Sequence, residues 1–363
     1  MDTCTRFEDK INSCLNSCPA DAPLLLAVSG GADSMAMLTV LHAIAGERKI
    51  FCLHVEHGIR PANESCGDAE FVRTFCNKNG IECNVISIPQ GKVAVFAQRW
   101  GIGIEAAARH YRHKALSREA TRLGEKTLIL LGHTKDDLLE LALMRILRGV
   151  GPCGLAAMPQ KRGRLFRPLL DMTRCDILNY LNAKNVSWRE DSTNDDTRFL
   201  RNQIRQQLIP FLNESFSSWK TGVESMAQTQ SLAAGFIADE ARTRINWQKN
   251  LPRTNIHPAP SFGAGQDQHE QFFYFTEEEI FFAQALIIRE EAVFQAINAI
   301  FLREKNHNKS IKRAVVRKFC SGAVKAADLG VVRIKREKGM VLLSMIKDEF
   351  FETGISRLIR KRV

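Results

Sequence analysis

The chain has 363 residues, 45% of them hydrophobic and 25% charged, a length and balance that suit about two or three domains, each burying its own core. A net charge of +11 points to a polyanionic partner, and the ten cysteines never form a CxxC pair, so neither a zinc-knuckle nor an iron–sulfur arrangement is indicated. No apolar run approaches a membrane span, and Asp2, Arg6, Glu8, Asp9 and Lys10 stand where a signal-type apolar stretch would lie, so a cytoplasmic protein with no membrane partner is expected.

The first predicted strand is the apolar run Leu24–Val28, and Ser29, Gly30, Gly31, Ala32, Asp33 and Ser34 follow it before an amphipathic stretch opens at Met35. At such a strand–turn–helix junction the first helical N–H groups lack intrahelical partners and the helix dipole adds positive potential, so an anion binds there readily. Gly30 and Gly31 are expected to take positive φ and let the backbone approach a phosphate. The Ser29 and Ser34 hydroxyls can donate to phosphate oxygens, and Asp33 can hold the accompanying cation. A plain turn would need only small residues. Two serines and a carboxylate within it favour a nucleotide's phosphates.

Further strands are read at Ile50–Val55, Ile81–Ile88 and Leu128–Gly132, with helical patterns at 35–46, 66–79, 103–123 and 137–148. The alternation predicts an α/β fold, a parallel sheet with helices on both faces and ligands beyond the carboxyl ends of the strands. The second strand ends in His54, Val55, Glu56, His57, Gly58, Ile59 and Arg60, a turn facing the nucleotide or, on its paired histidines, a metal site without an evident third ligand. The helix from Glu105 carries Arg109 and Arg112 near the expected site, then Lys114, Arg118 and Arg122 at four-residue spacing, a stripe suited to phosphate or to solvent. After the fourth strand come His133, Asp136, Asp137 and Glu140. Helix capping accounts for one of these carboxylates, and three together can bind a metal or an amine substrate's ammonium.

Helical stretches continue over Thr173–Lys184, Leu200–Leu212, Phe216–Trp247 and Glu277–Arg303; Leu251–Gln271 reads as a loop, and Val331–Lys335 with Met340–Met345 as a hairpin around Lys338 and Gly339. The charge excess sits late in the chain. Residues 301–363 hold 17 Lys and Arg against 6 Asp and Glu, whereas residues 1–300 balance at 34 each. Its clusters are Lys312, Arg313, Arg317 and Lys318; Arg333, Lys335, Arg336 and Lys338; and Arg357, Arg360, Lys361 and Arg362. Nucleic acid is the expected partner; an acidic membrane fits the charge, but no Trp-rich amphipathic anchor accompanies it.

The loop Ser29–Ser34 resembles the SGGxDS pyrophosphate loop of the N-type ATP pyrophosphatases, without the Lys of a Walker loop or the third glycine of a dinucleotide fingerprint. HVEHGIR (54–60), EAAAR (105–109), HTKDDLLE (133–140), RGVGPCGL (148–155), RPLL (167–170), DSTNDDTRFLRNQIR (191–205) and LIP (208–210) then occur in the order found in tRNA(Ile)-lysidine synthases. The resemblance is firm over about 20–210 and loose beyond. The chain departs from that pattern at Glu56, His113, Leu138 and Leu141, where Asn, Tyr, Gln and Thr are usual.

The resemblance implies a Rossmann-like fold of the adenine-nucleotide alpha-hydrolase type, organised as a PP-loop ATP-binding catalytic domain (1–215), a mainly helical tRNA-binding region (216–305) and a small basic C-terminal α+β region (306–363) that lacks a full extra module. It implies ligation of L-lysine to the wobble cytidine of a CAU-anticodon tRNA(Ile), with ATP and Mg²⁺, a homodimer being the expected assembly. Ser29, Gly30, Gly31, Ala32, Asp33, Ser34, His57 and His133 would contact the nucleotide, with Asp33 and Asp136 on the metal. Asp137 and Glu140 would bind and help deprotonate lysine, and Arg109 and Arg112 would offset phosphate charge. Arg201, Asn202 and Arg205 would contact tRNA, or Arg201 and Arg205 would pair with Asp191 or Asp195. Rival readings are a tRNA thiolase, which would want CxxC cysteines, an amidotransferase-type ligase, which would want an ammonia route, and a tRNA-binding homologue without catalysis.

Overall fold

The computed structural model describes residues 3–59, 62–190, 200–250, 273–304, 311–330 and 332–346. Arg60, the stretch 191–199 with Asp191 and Asp195, the expected loop 251–271 and the last basic cluster at 357–362 lie outside the described residues. The chain divides into two compact units, Met1–Leu232 and Ala233–Val363.

The first unit runs α1 (Thr3–Leu15), β1 (Leu24–Ala27), α2 (Ala32–Ile44), β2 (Ile50–Glu56), α3 (Ala62–Lys78), β3 (Glu82–Ser87), α4 (Lys92–Trp100), α5 (Ile104–Leu123), β4 (Leu128–Leu130), α6 (Lys135–Leu147), α7 (Pro152–Leu155), β5 (Lys161–Arg162), β6 (Leu165–Phe166) and α8 (Arg174–Ala183). Its sheet has the order β3-β2-β1-β4-β6-β5, parallel throughout except at the β5–β6 hairpin, which makes the expected parallel sheet a mixed one at its edge. β1 lies centrally. Leu24 and Leu26 turn to the core shared with α1, α2 and α8, and Leu25 to the core shared with α5, so a strand covered on both faces reads as an unbroken apolar run.

The same burial explains α2, which is apolar all round: Met35, Ala36, Met37, Leu38, Val40 and Leu41 are all fully buried. α1, which the sequence reading did not place, covers it. Phe7 stacks on Tyr180 of α8 with ring centroids 4.4 Å apart, and the Tyr180 hydroxyl donates to Glu8 at 2.9 Å. α4 was also unread, and packs Val93 and Ala97 against Ala107 and Ala108 of α5.

Residues 200–215 form α9 (Leu200–Gln203), a π turn (Ile204–Leu208) and α10 (Ile209–Ser215), and α11 (Trp219–Arg244) follows. Pro210 has no N–H to offer the carbonyl four residues back, so the ladder slips by one residue at that point. The second unit contains β7 (Gln248–Asn250), β8 (Phe273–Glu277), α12 (Glu278–Ala283), α13 (Leu286–Glu304), α14 (Arg313–Cys320), β9 (Ala326–Asp328), β10 (Val332–Glu337) and β11 (Met340–Met345). Its antiparallel sheet, β7-β8-β11-β10-β9, takes strands from both 216–305 and 306–363. Lys338 (φ 50) and Gly339 (φ 74) make the two-residue turn of the β10–β11 hairpin, the geometry that matches strand twist.

Candidate active site

β1 and β4 are neighbours, but the sheet grows from β1 toward β2 and from β4 toward β6. Loops beyond such a switch point diverge and leave a crevice at the carboxyl ends of the strands. The glycine loop leaves β1 there and residues 131–137 leave β4. The two touch, since a Cβ on Gly132 would stand 3.4 Å from the backbone of Asp33 and Ser34.

Within the loop the Ser34 hydroxyl donates to the Gly31 carbonyl at 2.9 Å and accepts from the Ser29 N–H at 3.2 Å. The Ser29 hydroxyl lies 3.2 Å from it and accepts from the Gly31 N–H at 3.4 Å. Gly30 takes φ +94, a conformation strained for any L side chain, whereas Gly31 has φ −73, so the positive φ expected of both glycines holds only for Gly30. No side chain caps α2 at Gly31, and its first-turn N–H groups face the crevice end of β1 as an anion cradle. The Arg189 N–H holds the loop from outside by donating to the Gly30 carbonyl at 2.9 Å, with its guanidinium 3.1 Å from Asp68.

Three acidic residues meet here. The Arg174 guanidinium donates to Asp33 at 2.6 Å, and the Arg174 backbone N–H donates to Asp136 at 2.7 Å, so one residue ties both carboxylates to the start of α8. Burial pushes the Asp33 carboxyl up against the pull of Arg174, and the Asp137 charge adds to the rise. A pair of hard oxygen donors under that stress suits Mg²⁺. Asp137 and Thr134 form a capping box: the Thr134 N–H donates to Asp137 at 2.9 Å, and the Asp137 N–H to the Thr134 hydroxyl at 3.3 Å.

The other Asp137 oxygen accepts from Arg201. Arg201 also donates to Glu140 at 2.7 Å, and Arg205 reaches the same carboxylate at 2.7 and 3.1 Å. Glu140 is 2% exposed, so the two guanidiniums neutralise a buried charge. Arg201 and Arg205 thus meet Asp137 and Glu140, two pairs that the sequence reading had given separate tasks. Asn202 is half-buried on the same helix.

Beyond this knot lies an excess of positive charge. Burial lowers the Arg112 guanidinium, with Arg109 and Arg201 adding repulsion that Glu105 offsets in part. Burial and the charges of Arg109, Arg167 and Arg112 hold His133 at about 3, and burial with Arg109, Arg112 and Arg167 holds His113 at about 4. Arg112 Nε, His133 Nδ1 and Arg167 Nε are buried without a hydrogen-bond partner. Arg167, Arg174 and Arg189 were not singled out in sequence; the RPLL motif around Arg167 was the available signal.

His54 is 5% exposed and its ring Nδ1 sits 2.9 Å from the Val28 carbonyl, so it pins β2 to the end of β1 and does not face the nucleotide. His57 is half-buried in the turn that follows. That turn needs its glycine: a Cβ on Gly58 (φ +60) would lie 2.4 Å from the Ile88 carbonyl oxygen. The departures from the family pattern find local uses. Ser87 donates to Glu56, and Leu138 and Leu141 line a cavity of about 130 Å³ with Val223 and Ala227 of α11.

The crevice, the glycine loop and the cations near them are the features of a nucleotide-binding α/β domain. Residues 3–212 match the family model of the PP-loop domain, and the chain belongs to that family of ATP-binding domains. Among sequenced relatives it is 40% identical over 227 residues to a tRNA(Ile)-lysidine synthase of Treponema denticola, covering 62% of this chain and 49% of that protein. A tRNA(Ile)-lysidine synthase of Thermus thermophilus is 36% identical over 231 residues, covering 64% and 43%. The chain spans about half the length of these relatives. Among solved structures, the U34-tRNA thiolase NcsA from Methanococcus maripaludis with its [4Fe-4S] cluster is similar in fold, at TM-score 0.52 and 16% identity over 64% of this chain and 80% of that one. No helix among the described residues is long and apolar enough to cross a membrane.

Proposed function

We propose that the protein is a tRNA(Ile)-lysidine synthase, joining L-lysine to C2 of the wobble cytidine of a CAU-anticodon tRNA(Ile) and converting ATP to AMP and pyrophosphate. The observation that carries this reading is the placement of Asp137 and Glu140, with Arg201 and Arg205, at the switch point beside the Ser29–Ser34 loop. The exocyclic carbonyl oxygen O2 of the cytosine is a poor leaving group; its attack on the α-phosphate expels pyrophosphate and makes it an adenylate, and the lysine ε-amine then displaces AMP at C2. The relatives named above carry the same activity in their names.

In this scheme Ser29, Gly30, Gly31, Ala32 and Ser34 cradle the phosphates, and Arg109, Arg112 and His133 meet the negative charge that develops on them. His57 borders the nucleotide. Asp33 and Asp136 would hold Mg²⁺, which supplies charge screening at the phosphates. Asp137 and Glu140 take the lysine ammonium on the lone pairs that Arg201 and Arg205 leave, and receive its proton. Asn202 and the basic residues of 306–363 position tRNA, with 216–305 as the helical part of that surface, and a homodimer remains the proposed assembly.

The test is incubation of the full chain with ATP, Mg²⁺, labelled lysine and a CAU-anticodon isoleucine tRNA, followed by nucleoside mass analysis. Lysine on the wobble cytidine is expected. Pyrophosphate release without any lysine-bearing nucleoside would reject the reading.

A further inference from the structure

Outside this site, three cysteines converge. Cys52 of β2, Cys76 of α3 and Cys83 of β3 place their sulfurs all within 4.8 Å of one another. Cys52 and Cys83 are register partners in the parallel β2–β3 pair, and α3 lays Cys76 over them from the core side. No pair of the three has a recognisable spacing in sequence; the convergence exists only in the fold.

Packing alone would explain three small apolar side chains there. The geometry exceeds it. Three sulfurs around a thiophilic ion with metal–sulfur bonds of about 2.3 Å would sit about 4 Å apart, so the triangle needs only a small contraction.

We propose that Cys52, Cys76 and Cys83 form a binding site for a soft, thiophilic d¹⁰ cation, bound by three sulfurs. The ligand count favours monovalent copper, which three sulfurs satisfy, over zinc, whose structural sites take four protein ligands. Cys52 is 1% and Cys76 0% exposed, which leaves no room for a fourth ligand from solvent on their side, while half-buried Cys83 gives the ion its entry. Binding exchanges the S–H protons of the cluster for the metal and releases them to solvent, so affinity rises with pH.

The experiment is titration of the reduced full chain with monovalent copper against an excess of a chromogenic copper(I) chelator, with zinc in a parallel series. Wild-type protein is expected to retain one equivalent of copper, and Cys175→Ser, which alters an exposed thiol, to do the same. Cys83→Ser and Cys76→Ala should each lose at least tenfold in affinity. X-ray absorption of the loaded wild-type protein, which needs no variant to fold, should show three sulfur neighbours at one distance. Loss of all copper to the chelator, full retention by Cys83→Ser, a coordination shell without three sulfurs, or retention of zinc alone would each overturn the proposal.

Discussion

The Arg174 guanidinium lies 2.6 Å from the Asp33 carboxylate, joining the start of α8 to the first turn of α2. Any cation brought to Asp33 with a nucleotide competes with that arginine. Arg174→Ala is therefore expected to lower the Mg²⁺ concentration needed for half-maximal tRNA-dependent pyrophosphate release several-fold. Because both partners are part-exposed, the substitution should cost only about 0–1 kcal/mol of stability in urea melts. An unchanged Mg²⁺ requirement would show that Asp33 does not meet the metal.

Glu140 carries a stability consequence of the opposite size. It is buried beneath Arg201 and Arg205, and its removal takes away the carboxylate that Arg205 reaches and leaves Arg201 with Asp137. Glu140→Ala should destabilise the first unit by about 2 kcal/mol, less than the full cost of a broken buried pair because both arginines reach solvent. Glu140→Ala combined with Arg205→Met should recover part of the loss, measured by urea unfolding.

The buried cations predict a trade between stability and ligand binding. Arg112 is buried among like charges, with its Nε unpartnered. Arg112→Met should leave the thermal midpoint unchanged or raise it, while weakening ATP binding by about tenfold, the loss of roughly one charge-assisted hydrogen bond. Calorimetric titration with ATP beside a melting curve separates the two effects.

His133 gives the pH dependence its sign. Its folded value of about 3 lies below the ordinary histidine range, so the unfolded chain takes up a proton that the folded chain refuses. This contribution lowers stability as pH falls from about 6.5 toward 3, and is absent above about 7. His133→Asn should therefore flatten the fall in urea midpoint between pH 7 and 4 relative to the wild-type chain. A parallel fall in both would remove His133 from the account.

The basic tail divides into structural and free-standing charge. Arg313 and Arg317 pair with Glu290, which is 0% exposed, and Arg333 pairs with Asp328, whereas Lys312, the N-cap of α14, and Lys318 within it are exposed. Replacing Lys312 and Lys318 by Gln should reduce the salt dependence of tRNA binding, by a slope of about 1 to 2, without altering stability. Arg313→Ala should instead destabilise the second unit.

Much of the architecture was legible. Leu24–Leu26 and the turn after them announce a doubly covered strand and an anion-binding helix start within a dozen residues, because propensity, burial pattern and backbone freedom act over neighbouring positions. The Lys338–Gly339 turn was readable for the same reason. Helices α1 and α4 escaped because their buried faces are narrow, Phe7, Ile11 and Leu15 on the one and Val93 and Ala97 on the other. Gly31 was misjudged because a glycine pair does not say which member takes positive φ.

The sequence by itself determined the alternation of β1 to β4 with α2, α3, α5 and α6, the glycine loop and the presence of acidic and basic clusters, all matters of local periodicity and residue type. Only the tertiary structure decided which clusters meet. Arg201 and Arg205 fold onto Asp137 and Glu140, and Cys52, Cys76 and Cys83 share no spacing that foretells their contact. The physical reason is that strand order, parallel register and helix packing bring together side chains far apart in sequence, and these are settled by burial of the whole core rather than by any segment's own preference.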